Sequence, residues 1–157
     1  MISTICFFNR NFIFVGGCVI LITNYFIYKL YMSCFWDGLI RRLDDNDLKI
    51  LKLNKNPNAQ QFAIHLKNLN KICNNVQWNG QPLLKQFLNE CKNAIDEYDP
   101  KTVNKGYFCS VCDSFLILFC EILNVSITHN YNGHVLTYTT ISSRKMLKCS
   151  SNTRHFN

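Results

Sequence analysis

The chain has 157 residues, 48% of them hydrophobic, and a formal net charge of +7 at pH 7. This length and apolar content suit one compact domain with a core of its own, once the N-terminal segment 1–31 is set aside. The Lys and Arg residues are scattered through 49–105 and 144–154 and form no dense stripe. The charge therefore indicates solvated basic faces that an acidic protein can contact, and nucleic acid is excluded as the expected partner.

The nine cysteines are odd in number and irregularly spaced, which is not the pattern of a disulfide framework. Cys91, Cys112 and Cys120 lie within apolar or helical patterns, where small buried thiols are common. We therefore expect a reducing compartment.

The N-terminal segment contains an uncharged apolar run over 12–28, flanked by Arg10 and Lys29. Its length matches a short membrane span, and it predicts a single hydrophobic signal-anchor helix. A buried helix is the alternative. A second alternative takes Met32 as the first residue of a purely soluble cytosolic protein.

The charges around this run set the expected orientation in a membrane. Lys29, Arg41 and Arg42 after the run outweigh Arg10 before it. Since basic flanks stay on the cytoplasmic side, we expect a single-pass protein whose domain 32–157 faces the cytosol, of a host cell if the source is viral. The abundance of Asn, Ile, Lys, Phe and Tyr is typical of an AT-rich coding source, such as a large DNA virus or a parasite.

The first element of the domain is an amphipathic helix over 33–43, which places Cys34 in the first turn. Free backbone N–H groups and the helix dipole favour a thiolate at this position, so we expect a lowered thiol pKa there. The same N–H groups can hold an oxyanion. The alternative is that Cys34 merely packs beneath Trp36.

The sequence pattern predicts helices in the middle of the domain. A short helix or extended turn over 44–50 is followed by a helix over 59–72. His65 lies off the apolar stripe of this second helix and is expected to be exposed or interfacial, and not catalytic. The segment 76–80 is predicted to be a turn, after which Pro82 is predicted to begin another helix. Asp113 is predicted to cap the central buried helix of the domain.

The last third reads as strands. Alternating apolar residues on either side of Asn132-Gly133 predict a hairpin with a two-residue turn. The segment 145–149 predicts a third strand and 155–157 a fourth. Because side chains alternate along a strand, His155 and Asn157 are expected on one face, where Asn157 can orient the imidazole of His155.

A metal site is the rival interpretation of the same region. The residue types and spacing are close to those of a zinc site at Cys109, Cys112, His129 and His134. However, the two histidines flank a turn between strands and do not share one helix face, so we predict neither a metal nor a cofactor. His134 remains an alternative to His155 as a general base.

The order of these features resembles the ovarian tumour (OTU) family of cysteine peptidases over residues 32–157. The matching features are Cys34-Phe35 at a helix start, Gly106-Tyr107-Phe108 before a buried helix, the strand Val125-Ser126-Ile127, and the terminal His155-Phe156-Asn157. The resemblance implies an α+β fold in which helices pack on a small mixed β-sheet.

The resemblance also implies an activity, the removal of ubiquitin or a ubiquitin-like protein from its targets. By this resemblance Cys34 is the nucleophile, His155 the base and Asn157 its orienting residue. The loop before the nucleophile, here Met32 and Ser33, shapes the oxyanion hole.

Two other interpretations stay open. The family pattern has Asp-Gly before the nucleophile, where this chain has Tyr31-Met32-Ser33. That difference favours a catalytically inactive OTU-like module that binds its partner without turnover. The third interpretation is a small membrane protein whose domain is only structural.

Overall fold

The structure is a computed structural model that describes residues 34–104, 109–152 and 156, together with Phe14–Val15 and Cys18–Val19. The helices are α1 (Cys34–Ile40), α2 (Asp45–Ile50), α3 (Ala59–Asn68), α4 (Lys85–Glu97) and α5 (Cys109–Leu123), with a 3₁₀ turn at Pro100–Thr102. The strands are β1 (Phe14–Val15), β2 (Cys18–Val19), β3 (Val76–Trp78), β4 (Gln81–Pro82), β5 (Ser126–Tyr131), β6 (His134–Thr140) and β7 (Met146–Ser151).

Strands β3 to β7 form one mixed sheet in the order β4-β3-β6-β5-β7. All neighbours are antiparallel except β5 and β7, which run parallel. The predicted α+β class, with helices and a small mixed sheet, is confirmed. The predicted hairpin is confirmed as well, because β5 and β6 meet at Asn132 and Gly133, whose φ angles of 50° and 86° suit a two-residue turn.

The two faces of the sheet differ in exposure. Ile127, His129, Tyr138 and Cys149 are buried on the face that α5 helps to cover, whereas Val135 on the other face is 58% exposed. Since side chains alternate along each strand, one face joins the core and the other meets water. The domain is therefore two layers, helices on one side and sheet on the other.

Helix α5 is the centre of the core, and residues 115–120 of it are at most 1% exposed. The prediction that Asp113 caps this helix is wrong, because the helix begins at Cys109. Cys112 is already buried one turn before Phe115 and Leu116. Helical packing thus starts ahead of Asp113, and packing outweighs the local capping preference.

Three other parts of the fold differ from the predictions. The segment 76–80, expected as a turn, forms β3 and a hairpin turn to β4, because Val76 pairs with Thr140 of β6. Pro82 lies in the edge strand β4, where no ladder N–H is needed, and α4 begins at Lys85. Helix α3 ends at Asn68, four residues before the predicted end at residue 72.

Four residues of the run 12–28 are described, and they pair as strands: Phe14 faces Val19 and Val15 faces Cys18. The predicted hydrophobic helix is not seen at these four positions, and the rest of the run lies outside the described residues. Among the helices of the described part, none combines the length and the apolar character needed to cross a bilayer.

A buried carboxylate joins α2 to the segment before β7. Asp47 is 0% exposed and accepts hydrogen bonds from Arg144 Nη2, at 2.5 Å, and from Lys145 Nζ. Asp44 and Asp47 also form a capping box at the start of α2. Arg144 Nε donates to the carbonyl of Leu123 at 2.9 Å. This network fixes the entry into β7 against the end of α5.

We expect Asp47→Ala to lower the free energy of unfolding by about 3–5 kcal/mol, because two cations would lose a buried partner. Chemical denaturation measures the change. Asp45→Ala is the matched control, since Asp45 is exposed in the same helical turn. Equal losses in both variants would contradict a structural role for the Asp47 network.

The hydrogen bond from Lys145 lowers the pKa of Asp44 to about 2. The carboxyl of an unfolded chain titrates near 3.9, so the Asp44 carboxylate stabilises the fold above about pH 4. This stabilisation should disappear as the pH falls from about 4 to about 2.

We therefore expect Asp44→Asn to flatten the decline of thermal stability in that interval. Asp44 is half exposed, so the effect is screened and should shrink in high salt. Thermal melts across the interval, with Asp45→Asn as the control, check this expectation. An unchanged acid limb in Asp44→Asn would refute it.

Candidate active site

Cys34 is the first residue of α1 and is only 3% exposed. Its Sγ accepts a hydrogen bond from the main-chain N–H of Phe156, with a nitrogen–sulfur distance of 3.2 Å. The chain thus returns, 122 residues later, to the thiol at the start of the domain. His155 and Asn157 lie on either side of Phe156 in the sequence, and they are outside the described residues, as are Met32 and Ser33.

Burial raises the pKa of the Cys34 thiol above its usual value. Hydrogen bonds from the main chain of Phe156 and of Phe35 oppose the rise, and the charge of Asp37 adds to it. The expectation of a lowered pKa at this helix start is wrong, because desolvation outweighs the N–H groups. The thiol at rest is protonated at neutral pH, and a base is needed to activate it.

Phe156 is fully buried and fixes the end of the described chain against α1. Its ring meets the ring of Phe35 edge to face, with centroids 5.0 Å apart. The residue also forms an isolated antiparallel bridge with Ser151 at the end of β7. The main-chain N–H that reaches Cys34 is therefore held by contacts on two sides.

Gly38 makes room for the ring of Phe156. A Cβ added at Gly38 would stand 2.7 Å from Cδ1 of Phe156, closer than real side chains come. No local sequence pattern pointed to Gly38 as a residue of the site. Glycine within a helix costs about 1 kcal/mol relative to alanine, so a helical glycine is itself a sign of close approach.

Helix α1 is anchored at both of its ends. Arg42 donates from Nε and Nη2 to the carbonyl of Lys148 in β7, at 3.2 and 2.9 Å. On the other side Trp36 Nε1 donates to the hydroxyl of Tyr98 at 3.2 Å, and its ring lies 4.7 Å from that of Phe115. These contacts set the position of Cys34 relative to the edge of the sheet.

His129, considered above only as a metal ligand, is 0% exposed in β5. Its Nε2 forms a hydrogen bond with Ser151 Oγ at 2.7 Å, and its ring centroid is 5.6 Å from that of Phe156. Burial lowers the pKa of His129, an effect that the charge of Asp113 opposes. The ring is thus neutral at neutral pH.

The other two described histidines lie elsewhere. His134, the alternative base, is exposed beside the Asn132-Gly133 turn. His65, expected to be exposed or interfacial, is half buried, and its Nε2 lies 2.8 Å from the carbonyl oxygen of Leu51. Within the described residues, no group of three or more His, Cys, Asp or Glu side chains could hold a metal ion.

Comparison with known proteins returned no matching family model, no similar curated protein and no similar solved structure.

The fit between Gly38 and Phe156 can be tested by a double-mutant cycle. We expect Gly38→Ala to destabilise the protein by about 1–3 kcal/mol, because the new methyl group collides with a packed ring. In a Phe156→Ala background the same change should be neutral or stabilising, since alanine favours the helix and the ring is gone. Chemical denaturation of all four proteins gives the coupling. Equal effects of Gly38→Ala in both backgrounds would show that the ring does not occupy this space.

Proposed function

We propose that this chain is an OTU-like thiol-dependent peptidase that removes ubiquitin or a ubiquitin-like modifier. The observation that carries the proposal is the hydrogen bond from the Phe156 N–H to Cys34 Sγ. It brings the proposed nucleophile next to the residue between His155 and Asn157. A cysteine at a helix start beside a His-aromatic-Asn segment is the arrangement that the resemblance implies.

In the proposed mechanism the raised pKa of Cys34 makes the base essential. His155 takes the thiol proton as Sγ attacks the isopeptide carbonyl, and the imidazolium then returns that proton to the departing lysine amine. Water, deprotonated by His155, hydrolyses the thioester and regenerates the thiol. Asn157 orients the imidazole through its side-chain amide.

Membrane attachment through 12–28 is a further part of the proposal. It is supported by the uncharged run and by its basic flanks. The domain 32–157 would then act on modified proteins close to the cytosolic membrane surface.

The second candidate function is an OTU-like module that binds a ubiquitin-like protein without cleaving it. Two observations favour it. Tyr31-Met32-Ser33 stands where the family has Asp-Gly before the nucleophile, and burial keeps Cys34 as a neutral thiol. A thiol in this state does no chemistry unless a base removes its proton.

A ubiquitin probe with a thiol-reactive C-terminus separates the two functions. With the full chain, a peptidase should form a covalent adduct at Cys34, detected by peptide mass spectrometry. We expect Cys34→Ala to abolish the adduct and His155→Ala to slow its formation by about 100-fold or more, because the base is lost.

Cys112→Ala is the control for loss of a buried thiol away from the site, since Cys112 is 6% exposed in α5. It should react at the wild-type rate. Absence of any adduct from the folded chain with ubiquitin and ubiquitin-like probes, together with retained binding, would replace the peptidase by the binding module.

A further inference from the structure

A continuous line of contacts runs from the middle of the sheet to Cys34. His129 in β5 bonds to Ser151 Oγ at the end of β7, and Ser151 bridges to Phe156. Phe156 then donates its N–H to Cys34 Sγ. Each link is a direct contact, so a change at His129 has a physical route to the thiol.

Loss of the hydrogen bond between His129 and Ser151 is expected to destabilise this region. Its members are a 0% exposed imidazole and a half-buried hydroxyl, and a buried polar group left without its partner costs about 1–3 kcal/mol. Ser151 is the last residue of β7, so the bond also fixes the point where the chain leaves the sheet.

The ring of Phe156 completes the coupling. It packs against His129 on one side and against Phe35 and Gly38 of α1 on the other. Gly38 leaves space for this ring but not for an additional methyl group, so the ring is closely packed in one position. Movement of the imidazole therefore displaces Phe156 and the N–H that it presents.

We propose that His129 is a positioning residue for Cys34, acting through Ser151 and Phe156. In the peptidase it aligns the segment that carries His155 with the thiol, and this consequence depends on the proposed function. His129 is not the base itself, because its Nε2 is engaged by Ser151 and its ring is fully buried.

Two measurements test the positioning without requiring any peptidase activity. One is hydrogen exchange of the Phe156 amide, compared with amides of the buried helix α5. The other is alkylation of Cys34 by iodoacetamide, followed peptide by peptide against Cys120, a thiol that is 0% exposed in α5. Both should report whether the Phe156 segment has loosened.

In His129→Leu and in Ser151→Ala we expect Phe156 exchange and Cys34 alkylation to rise by about tenfold, since one buried hydrogen bond is lost. Exchange in α5 and alkylation of Cys120 should stay unchanged. His129→Gln should remain close to wild type, because its side-chain amide can replace Nε2 towards Ser151. His65→Leu, which removes a half-buried imidazole elsewhere in the domain, should also leave the alkylation rate of Cys34 unchanged.

If the proposed function holds, the same two variants should react about tenfold more slowly with the ubiquitin probe while Cys34 alkylation becomes faster. Opposite changes at one thiol are not expected from a general loss of stability. If His129→Leu does not fold, the Ser151→Ala variant alone tests the proposal. Ser151 is only half buried, so this variant is expected to fold.

Two results would overturn the proposal. One is an unchanged Phe156 amide and an unchanged Cys34 in both variants. The other is an equal acceleration at Cys34 and Cys120, which would make His129 a general core residue. A wild-type chain inert to every probe would refute the peptidase and leave the exchange and alkylation tests standing.

Discussion

The packing of Phe156 between α1 and the edge of the sheet is the contact on which the site depends. It joins segments far apart in the sequence, because the N–H of Phe156 donates to a thiol that lies 122 residues earlier in the chain. Burying a phenylalanine side chain contributes about 1.5–3 kcal/mol, which offsets much of the entropy lost in fixing the end of the chain. This contact holds Phe156, the last described residue, beside Cys34.

The surfaces that receive Phe156 are themselves held in place by polar contacts. Arg42 ties α1 to the carbonyl of Lys148, and the buried Asp47 ties the start of β7 to α2. Among the described strands, β7 lies at the edge of the sheet and pairs with β5, and Ser151 at its end bridges to Phe156. Its position therefore depends on side chains that bridge it to the helices. The charged network far from Cys34 thus contributes to the geometry at Cys34.

Local signals in the sequence were sufficient for the α+β class, the Asn132-Gly133 hairpin and the helix start at Cys34, because each depends on neighbouring residues. They were insufficient where pairing between segments distant in the sequence determines the secondary structure. Val76 becomes a strand residue only because β6 lies beside it, and Pro82 is tolerated at the sheet edge that this pairing creates. The contact between Gly38 and Phe156 joins two segments that no local pattern connects, although a glycine within a helix was a signal that could have found it.

The electrostatic state of Cys34 follows from the same burial that builds the site. Covering the thiol with Phe156 removes water and raises its pKa, while the Phe156 N–H partly compensates by stabilising negative charge on sulfur. A buried neutral thiol is protected from unspecific oxidation and alkylation, but it becomes a nucleophile only when a base is aligned with it. Under the proposed function, a peptidase therefore differs from a binding module by having a base aligned with the Cys34 thiol.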